Sequence, residues 1–323
     1  MVDDALLTTH PIVVDVTYPD EISAIFDTIS YQKGASVLQM LQNIMEQEGK
    51  DFYKGIHTYL EAHKAKNAIT NDLWTALSKE IVTPNIREVM DTWTLQEGYP
   101  LVNIELTEDD GQVVVHATQT RFTSDPADSH TVSSKESKWY ISLDWITSEH
   151  ERKEIHYMPK TDAAFKVNVQ LSHPASWVKF NVDTKGFYRV DYPSDMWKRL
   201  SSHLLTTDDV TTWRLTASDR SGLLSDAFTL AQVGQVTYDI PLGLAKYLTK
   251  ERNYVPWASA VADGLQYISS MMQLDPHYEL WEIYVRSLVN PVLDKMGWMK
   301  TGSHLERQVF NIIISLLYYY DHS

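Results

Sequence analysis

The tyrosine at position 31 is the residue of this chain whose type and setting best suit chemistry. It follows Ser30 and precedes a segment in which Val37, Leu38 and Leu41 recur at helical spacing. Serine is a preferred N-cap, so the pattern predicts a helix that begins at Ser30. A phenol near a helix start can donate a hydrogen bond to an oxyanion that forms in a transition state. More commonly, a tyrosine at such a position is a buried aromatic side chain that packs in the core. Composition and spacing do not decide between the catalytic and the structural role.

The histidines do not form a zinc-binding pattern. The nearest approach to His-Glu-x-x-His is His150-Glu151 followed by His156, where the second histidine comes six residues on instead of four. On a strand these side chains would lie about 20 Å apart, too far for one zinc ion. The remaining histidines are scattered singly. We therefore predict no metal ligand within this chain.

Other catalytic signatures are absent or have a structural interpretation. The chain has neither the nucleophile motif Gly-x-Ser-x-Gly nor a glycine-rich phosphate loop. The acidic pairs Asp109-Asp110 and Asp208-Asp209 fall in predicted turns or helix starts. At such places carboxylates cap helices and solvate loops, so we do not assign them to catalysis.

Composition limits the partners and the environment. A chain of 323 residues predicts two to three domains. A net charge of −15 argues against binding to nucleic acid or to anionic membrane surfaces. With no cysteine, neither a disulfide nor a thiolate metal site can form within the chain.

The N-terminal residues do not resemble a signal peptide, and the longest apolar run, Val309 to Tyr320, is too short to span a bilayer.

The elements that must position Tyr31 are helical. Before them, apolar residues between 12 and 16 suggest a short edge strand or a packed linker. Gly98 is placed to end the last helix as a left-handed cap. The first hundred residues thus predict four helices on short loops, namely the Tyr31 helix and those at 51–63, 70–77 and 86–96.

From Leu101 the apolar period falls from 3.6 to 2, which is typical of strands. About seven short strands with turns between them predict an antiparallel β-sandwich of about 90 residues. They are predicted at 102–106, 113–117, 139–146, 155–158, 165–171, 177–182 and 187–192.

After Pro193 the helical period returns. Repeated amphipathic helices favour an α-solenoid, although no strict repeat is visible. The chain stops at Ser323, just after an apolar helix. Because a solenoid needs a polar capping repeat at its end, this end is interpreted as a truncation.

Five motifs in fixed order carry a family resemblance across nearly the whole chain. They are Phe26-Asp27-x-Ile29-Ser30-Tyr31-x-Lys33-Gly34-Ala35-Ser36-Val37-Leu38, Val89-Met90-Asp91-Thr92-Trp93-Thr94-x-Gln96-x-Gly98-Tyr99-Pro100, Trp177-Val178-Lys179-Phe180-Asn181 with Gly186-Phe187-Tyr188-Arg189-Val190-Asp191-Tyr192, Asp219-Arg220-Ser221-Gly222-Leu223-Leu224-x-Asp226-Ala227-Phe228, and Tyr254-Val255-Pro256-Trp257. In this order the chain resembles the zinc-dependent gluzincin aminopeptidases, in the branch of aminopeptidase N and glutamyl aminopeptidase.

The resemblance implies a multidomain α+β protein. Residues 1–97 would be the helical tail of a thermolysin-like catalytic domain, 98–192 the β-sandwich, and 193–323 the first part of a helical solenoid. It implies removal of N-terminal residues from peptides, with a zinc-bound water attacking the scissile carbonyl and a glutamate as base. Tyr31 matches the family tyrosine that stabilises the tetrahedral oxyanion. No substrate-binding residue is predicted.

The departures from the family pattern are large. The motif His-Glu-x-x-His, its distal glutamate and the segment Gly-x-Met-Glu-Asn are missing, and in the family all of them precede the Tyr31 stretch. The resemblance therefore implies a fragment that is inactive alone, with zinc ligands upstream. It also implies a plasma-membrane ectodomain whose anchor belongs to the full-length parent, with a cytoplasmic enzyme as alternative, and a homodimer through the helical domain. The other hypotheses are a non-catalytic peptide-binding or dimerisation module and an enzyme of unrelated chemistry.

Overall fold

The computed structural model describes residues 1–109, 112–125, 137–150, 156–160, 165–169, 171, 173, 176–207, 213–298 and 302–321. It is helix-rich with small sheets, which confirms the α+β class. The chain divides into two compact units. The first comprises Met1–Ile146, His150–Gln170 and Phe180–Val190, and the second Thr147–Glu149, Leu171–Lys179 and Asp191–Ser323.

The four helices predicted for the first hundred residues are present in the first unit. Asp51 caps one of them by accepting a hydrogen bond from the Lys54 N–H (3.1 Å), and Asn85 caps another through the Glu88 N–H (3.3 Å). The helical elements are a 3-10 turn Asp3–Ala5, α1 Pro19–Ala24, a π-helical turn Ile29–Lys33, α2 Gly34–Gln47, α3 Phe52–Ala62, α4 Thr70–Leu77 and α5 Ile86–Thr94.

One local prediction is wrong, and of the two alternatives for residues 12–16 the structure shows the linker. Ser30 does not cap the Tyr31 helix, because it lies inside the π-helical turn and its own N–H is bound by the Asp27 carboxylate (2.9 Å). The residues between 12 and 16 do not form a strand. The Val13 N–H instead donates to the carbonyl of Thr94 (2.9 Å), so this part of the chain is a linker fastened to the end of α5.

Strands occupy each of the predicted regions. In chain order they are β1 Pro100–Asp109, β2 Gln112–Arg121, β3 Ile141–Leu143, β4 Trp145–Thr147, β5 His156–Met158, β6 Phe165–Val169, β7 Val178–Phe180 and β8 Arg189–Asp191. A four-stranded sheet has the order β6-β2-β1-β8, with β2 antiparallel to both β1 and β6. Strands β3 and β5 form a separate antiparallel pair. Ile104 opposite Ala117 marks the buried face of the larger sheet.

The second unit is helical, as predicted for the residues after Pro193. Its helices pack around a core that includes Leu204, Phe228, Trp257 and Val289. They are α6 Ser194–Thr206, α7 Ala217–Gln232, α8 Asp239–Ala245, α9 Tyr254–Ala260, α10 Gln266–Met272, α11 Tyr278–Met296 and α12 His304–Asp321. None of the helices in the described ranges is both long and apolar enough to cross a membrane.

Candidate functional site

Tyr31 lies in the π-helical turn that leads directly into α2. Ile29 and Lys33, on either side of it, are 4% and 2% exposed, whereas Tyr31 is 59% exposed. Residues four apart share a helix face, so the two buried residues fix the inner face and Tyr31 points outward. The Tyr31 hydroxyl has no hydrogen-bond partner among the residues that the structure describes. Such a phenol on a fixed backbone can donate to an outside acceptor, and π-helical turns are frequent at functional sites.

Asp27 holds the start of this turn. Its carboxylate accepts from the Ser30 N–H at 2.9 Å, and its backbone carbonyl accepts from the Tyr31 N–H at 3.1 Å. The other carboxylate oxygen lies 2.6 Å from Nε2 of His10, whose Nδ1 lies 2.8 Å from the Pro11 carbonyl oxygen. Both ring nitrogens thus face acceptors. Both must donate to satisfy them, which requires the protonated imidazolium.

The pKa values of this pair follow from the same contacts. Partial burial lowers the pKa of His10, but the hydrogen bonds to the Pro11 carbonyl and to Asp27 outweigh it, and the net pKa is raised. For Asp27, burial raises the pKa, while the Ser30 N–H and the His10 ring lower it, and the net pKa is lowered. Both shifts favour the charged forms, so the ion pair and the cap reinforce each other.

We expect the His10–Asp27 pair to stabilise the first unit only within a limited pH window. The raised pKa of His10 means that its contribution is present below about pH 6.5 and is lost as the pH rises through the folded-state pKa. The lowered pKa of Asp27 means that its contribution is present above about pH 4 and is lost as the pH falls. The difference in unfolding free energy between wild type and His10→Gln should peak between these limits at about 1 kcal/mol.

Chemical denaturation at a series of pH values measures this difference. The matched control is His57→Gln, because His57 is an exposed histidine on α3. It should leave the pH dependence of stability unchanged. A His10→Gln difference that stays constant from pH 4 to pH 8 would contradict the assignment of an ion pair to His10 and Asp27.

Lys33 anchors the opposite end of the turn. Its ammonium lies 2.8 Å from the Asp4 carboxylate and donates to the carbonyl of Gly98 at 2.9 Å. Asp4 also accepts from the Gly98 N–H and from the Thr9 hydroxyl, both at 3.0 Å. Burial lowers the pKa of the Lys33 ammonium, and the Asp4 carboxylate opposes that shift. This buried network ties the Tyr31 turn to two distant parts of the first unit.

Gly98 must be glycine in this network. Its φ of +75° is the left-handed conformation that side chains rarely adopt. A Cβ at this position would also lie 2.7 Å from Nε of Arg121. The left-handed conformation predicted for Gly98 is present, but Gly98 does not cap α5, which ends at Thr94 with Leu95 as its C-cap. Gly98 instead supplies both its N–H and its carbonyl to the anchor of Tyr31.

A zinc ion does not fit the residues of this site. No group of three histidine, cysteine, aspartate or glutamate residues that could hold a metal occurs in the described part of the chain. His10 and Asp27 already bind each other. His156 packs against the ring of Trp145 (4.9 Å between centroids). Part of the His150 to His156 segment lies outside the described residues, as do Asp110 and the pair Asp208-Asp209. The described residues of this site therefore do not assemble a zinc centre.

The sequence singled out Tyr31 as a candidate catalytic residue but not the side chains that hold its turn in place. Asp4, His10, Asp27 and Lys33 were given no role. One signal was available, because Lys33 follows the buried Ile29 by four residues and so occupies the apolar face of a predicted helix. A charge at such a position requires a buried partner.

The comparisons with known proteins bear on both parts of the chain. Residues 1–93 match the model of the peptidase family M1 domain, and residues 177–323 match that of the ERAP1-like C-terminal domain. The first match includes Tyr31 and all four residues that position it. This part of the chain is thus part of a peptidase domain.

Individual relatives agree with these models. Glutamyl aminopeptidase of Rattus norvegicus is 38% identical over 308 residues, which cover 94% of this chain and 31% of the relative. Aminopeptidase A of Gloydius brevicauda is 38% identical over 309 residues, with the same coverage. The thyrotropin-releasing hormone-degrading ectoenzyme of Rattus norvegicus is 31% identical over 326 residues, covering 94% of this chain and 28% of the relative. The chain belongs to peptidase family M1, in the glutamyl aminopeptidase branch. It spans about a third of the length of the curated relatives it matches.

Proposed function

We propose that this chain is the part of a zinc aminopeptidase that supplies the oxyanion donor. The whole enzyme removes N-terminal residues from peptides, and the Tyr31 hydroxyl donates a hydrogen bond to the oxyanion of the tetrahedral intermediate. The observation that carries this proposal is the outward phenol of Tyr31, without an internal partner, on a turn fixed at both ends by Asp27 and Lys33. Preorganised donors of this kind stabilise the transition state because they need no rearrangement during the reaction.

The zinc ligands and the general base belong, in this proposal, to parts of the whole enzyme outside these 323 residues. The described residues offer no ligand group. When bound, zinc supplies a hydroxide nucleophile and polarises the scissile carbonyl. The role of this chain is to hold one hydrogen-bond donor, so we propose that it has no aminopeptidase activity alone.

Tyr31→Phe in the whole enzyme is the direct test. We expect kcat to fall by about 10²–10³, the usual cost of losing one oxyanion-hole donor. The KM should change little, since the interaction exists only in the transition state. Steady-state kinetics on an aminoacyl-arylamide substrate measure both constants. The fold should be unaffected, because the exposed hydroxyl has no partner among the described residues.

The matched control is Tyr53→Phe. Tyr53 is 66% exposed, comparable to Tyr31, but it lies on α3 and is not a candidate for catalysis. We expect kcat within a factor of two, since isolated surface substitutions have small effects. If Tyr31→Phe behaves like Tyr53→Phe, the role assigned to Tyr31 is refuted, and a non-catalytic binding module becomes the better account of the chain.

We propose three domains within the chain, with boundaries at 1–97, 98–192 and 193–323. In support, the described strands all fall between Pro100 and Asp191, and α6 begins at Ser194. We propose that the strands form a β-sandwich and that α6 to α12 are the first part of an α-solenoid. The antiparallel ladders of β1, β2 and β6 support the first proposal. The succession of helices after Pro193 supports the second.

We also propose an extracellular setting at the plasma membrane, with the anchor in the remainder of the whole protein. The support is the similarity to a relative named an ectoenzyme. A homodimer through the helical domain is proposed as well. Its support is the exposure of apolar side chains on α10, on α11 and in the turn between them, namely Met271, Leu274, Leu280 and Ile283.

A further inference from the structure

A groove of about 340 Å³ in the first unit is lined largely by hydrogen-bond donors. It lies along α4 and reaches the first turn of α5. Its lining residues are Asn71, Trp74, Thr75, Ser78, Lys79 and Arg87. They offer an amide, an indole N–H, two hydroxyls and two cations, and no carboxylate. The groove is distinct from the Tyr31 turn and plays no part in the function proposed above.

Trp74 has an unmet requirement for an acceptor. The residue is only 3% exposed, and its Nε1 atom is buried without a hydrogen-bond partner. An indole N–H can only donate, so its missing partner must be an acceptor. Trp93 shows the usual arrangement, since its Nε1 donates to the carbonyl of Tyr140 at 3.0 Å. Buried indole N–H groups normally find such a partner.

The two cations of the groove retain unused binding capacity. Lys79 forms no ion pair with any residue in the described ranges. Arg87 contacts Asp91 only through its Nε atom, at 3.5 Å. Its two terminal amino groups, which are the pair suited to a bidentate oxyanion, have no partner in the described part of the chain.

Two nearby carboxylates are engaged elsewhere, and Asp91 meets the groove only through its 3.5 Å contact with the Nε atom of Arg87. Glu80 binds the ammonium of Lys54 at 2.9 Å. Asp72 accepts from the Ile69 N–H at 2.9 Å, at the start of α4. Neither lines the groove. The groove is thus locally cationic on a chain whose net charge is −15, and an acceptor bound there gains most if it is negatively charged.

We propose that this groove binds a tetrahedral oxyanion, a phosphate or sulfate group. The anion accepts from the Trp74 indole N–H and from the Ser78 hydroxyl, while Lys79 and Arg87 neutralise its charge. A bound water would satisfy the indole but would leave Lys79 without a counter-charge and the terminal amino groups of Arg87 without an anionic acceptor. The group can be a free ion or an ester on a larger ligand, and the two share the chemistry that the groove recognises.

Nuclear magnetic resonance on the ¹⁵N-labelled 323-residue chain tests this proposal. We expect the assigned Trp74 indole resonance to shift saturably with inorganic phosphate or sulfate, with a Kd of about 1 mM or tighter. The Trp93 indole should not move, and chloride at matched ionic strength should have no effect. Phenyl phosphate distinguishes the sources. Tighter binding than inorganic phosphate indicates an ester ligand, and equal or weaker binding indicates a free ion.

Charge-removing variants establish the site. Lys79→Gln and Arg87→Gln should each weaken binding about tenfold, as expected for losing one charge-assisted hydrogen bond. Lys64→Gln is the matched control, because Lys64 is an exposed lysine of the same unit outside the groove, and it should leave the Kd unchanged. The proposal is overturned if no saturable shift occurs up to tens of millimolar, or if both groove variants bind like the control.

Discussion

Lys33→Met should lower the unfolding free energy of the first unit by about 3–5 kcal/mol, the usual cost of removing one partner of a buried ion pair. The Asp4 carboxylate would remain enclosed without its cation, and the Gly98 carbonyl would lose its donor. The protein has two compact units, so a single unfolding midpoint is a poor measure. Native-state hydrogen exchange of the Gly98 amide, which Asp4 binds directly, reports the local loss.

The double variant Asp4→Leu/Lys33→Met separates the ion pair from simple loss of packing. Replacing both charges with apolar groups should be less destabilising than either single substitution, because no buried charge remains. Lys54→Met is the matched surface control. Its exposed ammonium pairs with Glu80 at 2.9 Å, and solvent-screened pairs of this kind contribute little to stability. Equal losses for Lys33→Met, the double variant and Lys54→Met would be incompatible with a buried charge pair at Lys33.

The elements of this fold could be predicted because their signals are local. Helical spacing of apolar residues gave the helices from α2 to α5, and alternation gave the strands from β1 onward. The left-handed conformation of Gly98 was also predictable, because a glycine just past the end of an apolar helical period, two residues before Pro100, favours it. These features depend on neighbours within a few residues, which the sequence displays directly.

The predictions fail where a residue distant in the sequence determines the local structure. The predicted strand 139–146 is divided at Asp144 into β3 and β4. The Asp144 carbonyl accepts from the Asn181 N–H (3.1 Å), and its carboxylate accepts from the Val182 N–H (3.0 Å). Similarly, Ser30 was predicted to cap the Tyr31 helix, but the Asp27 carboxylate accepts from the Ser30 N–H and also binds His10. Contacts over such separations leave no periodic pattern in the sequence.

At the candidate site, too, some features depend on near neighbours in the sequence and others on distant residues. Tyr31 could be singled out from its motif, but its orientation depends on Asp4 and Gly98, which are far from it in the chain. The π-helical turn was not predictable either, since Ile29 to Lys33 fit an ordinary helix equally well. A candidate residue can therefore be proposed from sequence, while the charges that position it become visible only in the folded chain.

Asp219→Ala should destabilise the second unit even more than Lys33→Met destabilises the first. Asp219 is fully buried and faces the Lys179 ammonium at 2.5 Å. Its other oxygen accepts from the Thr216 N–H (3.0 Å) and the Thr216 hydroxyl (2.9 Å), which completes a capping box at the start of α7. The substitution thus removes a buried counter-charge, at about 3–5 kcal/mol, and a helix cap, at about 1 kcal/mol.

Asp219→Asn distinguishes these two contributions. The amide oxygen can still accept from Thr216, so the cap persists while the negative charge beside Lys179 is lost. We therefore expect most of the Asp219→Ala loss to remain, measured by denaturation of the second unit and by hydrogen exchange in α7. Asp239→Asn, an exposed acidic residue in the first turn of α8, is the control and should cost less than about 0.5 kcal/mol. A loss for Asp219→Asn no larger than this would mean that the cap, and not the buried charge pair, holds α7 in place.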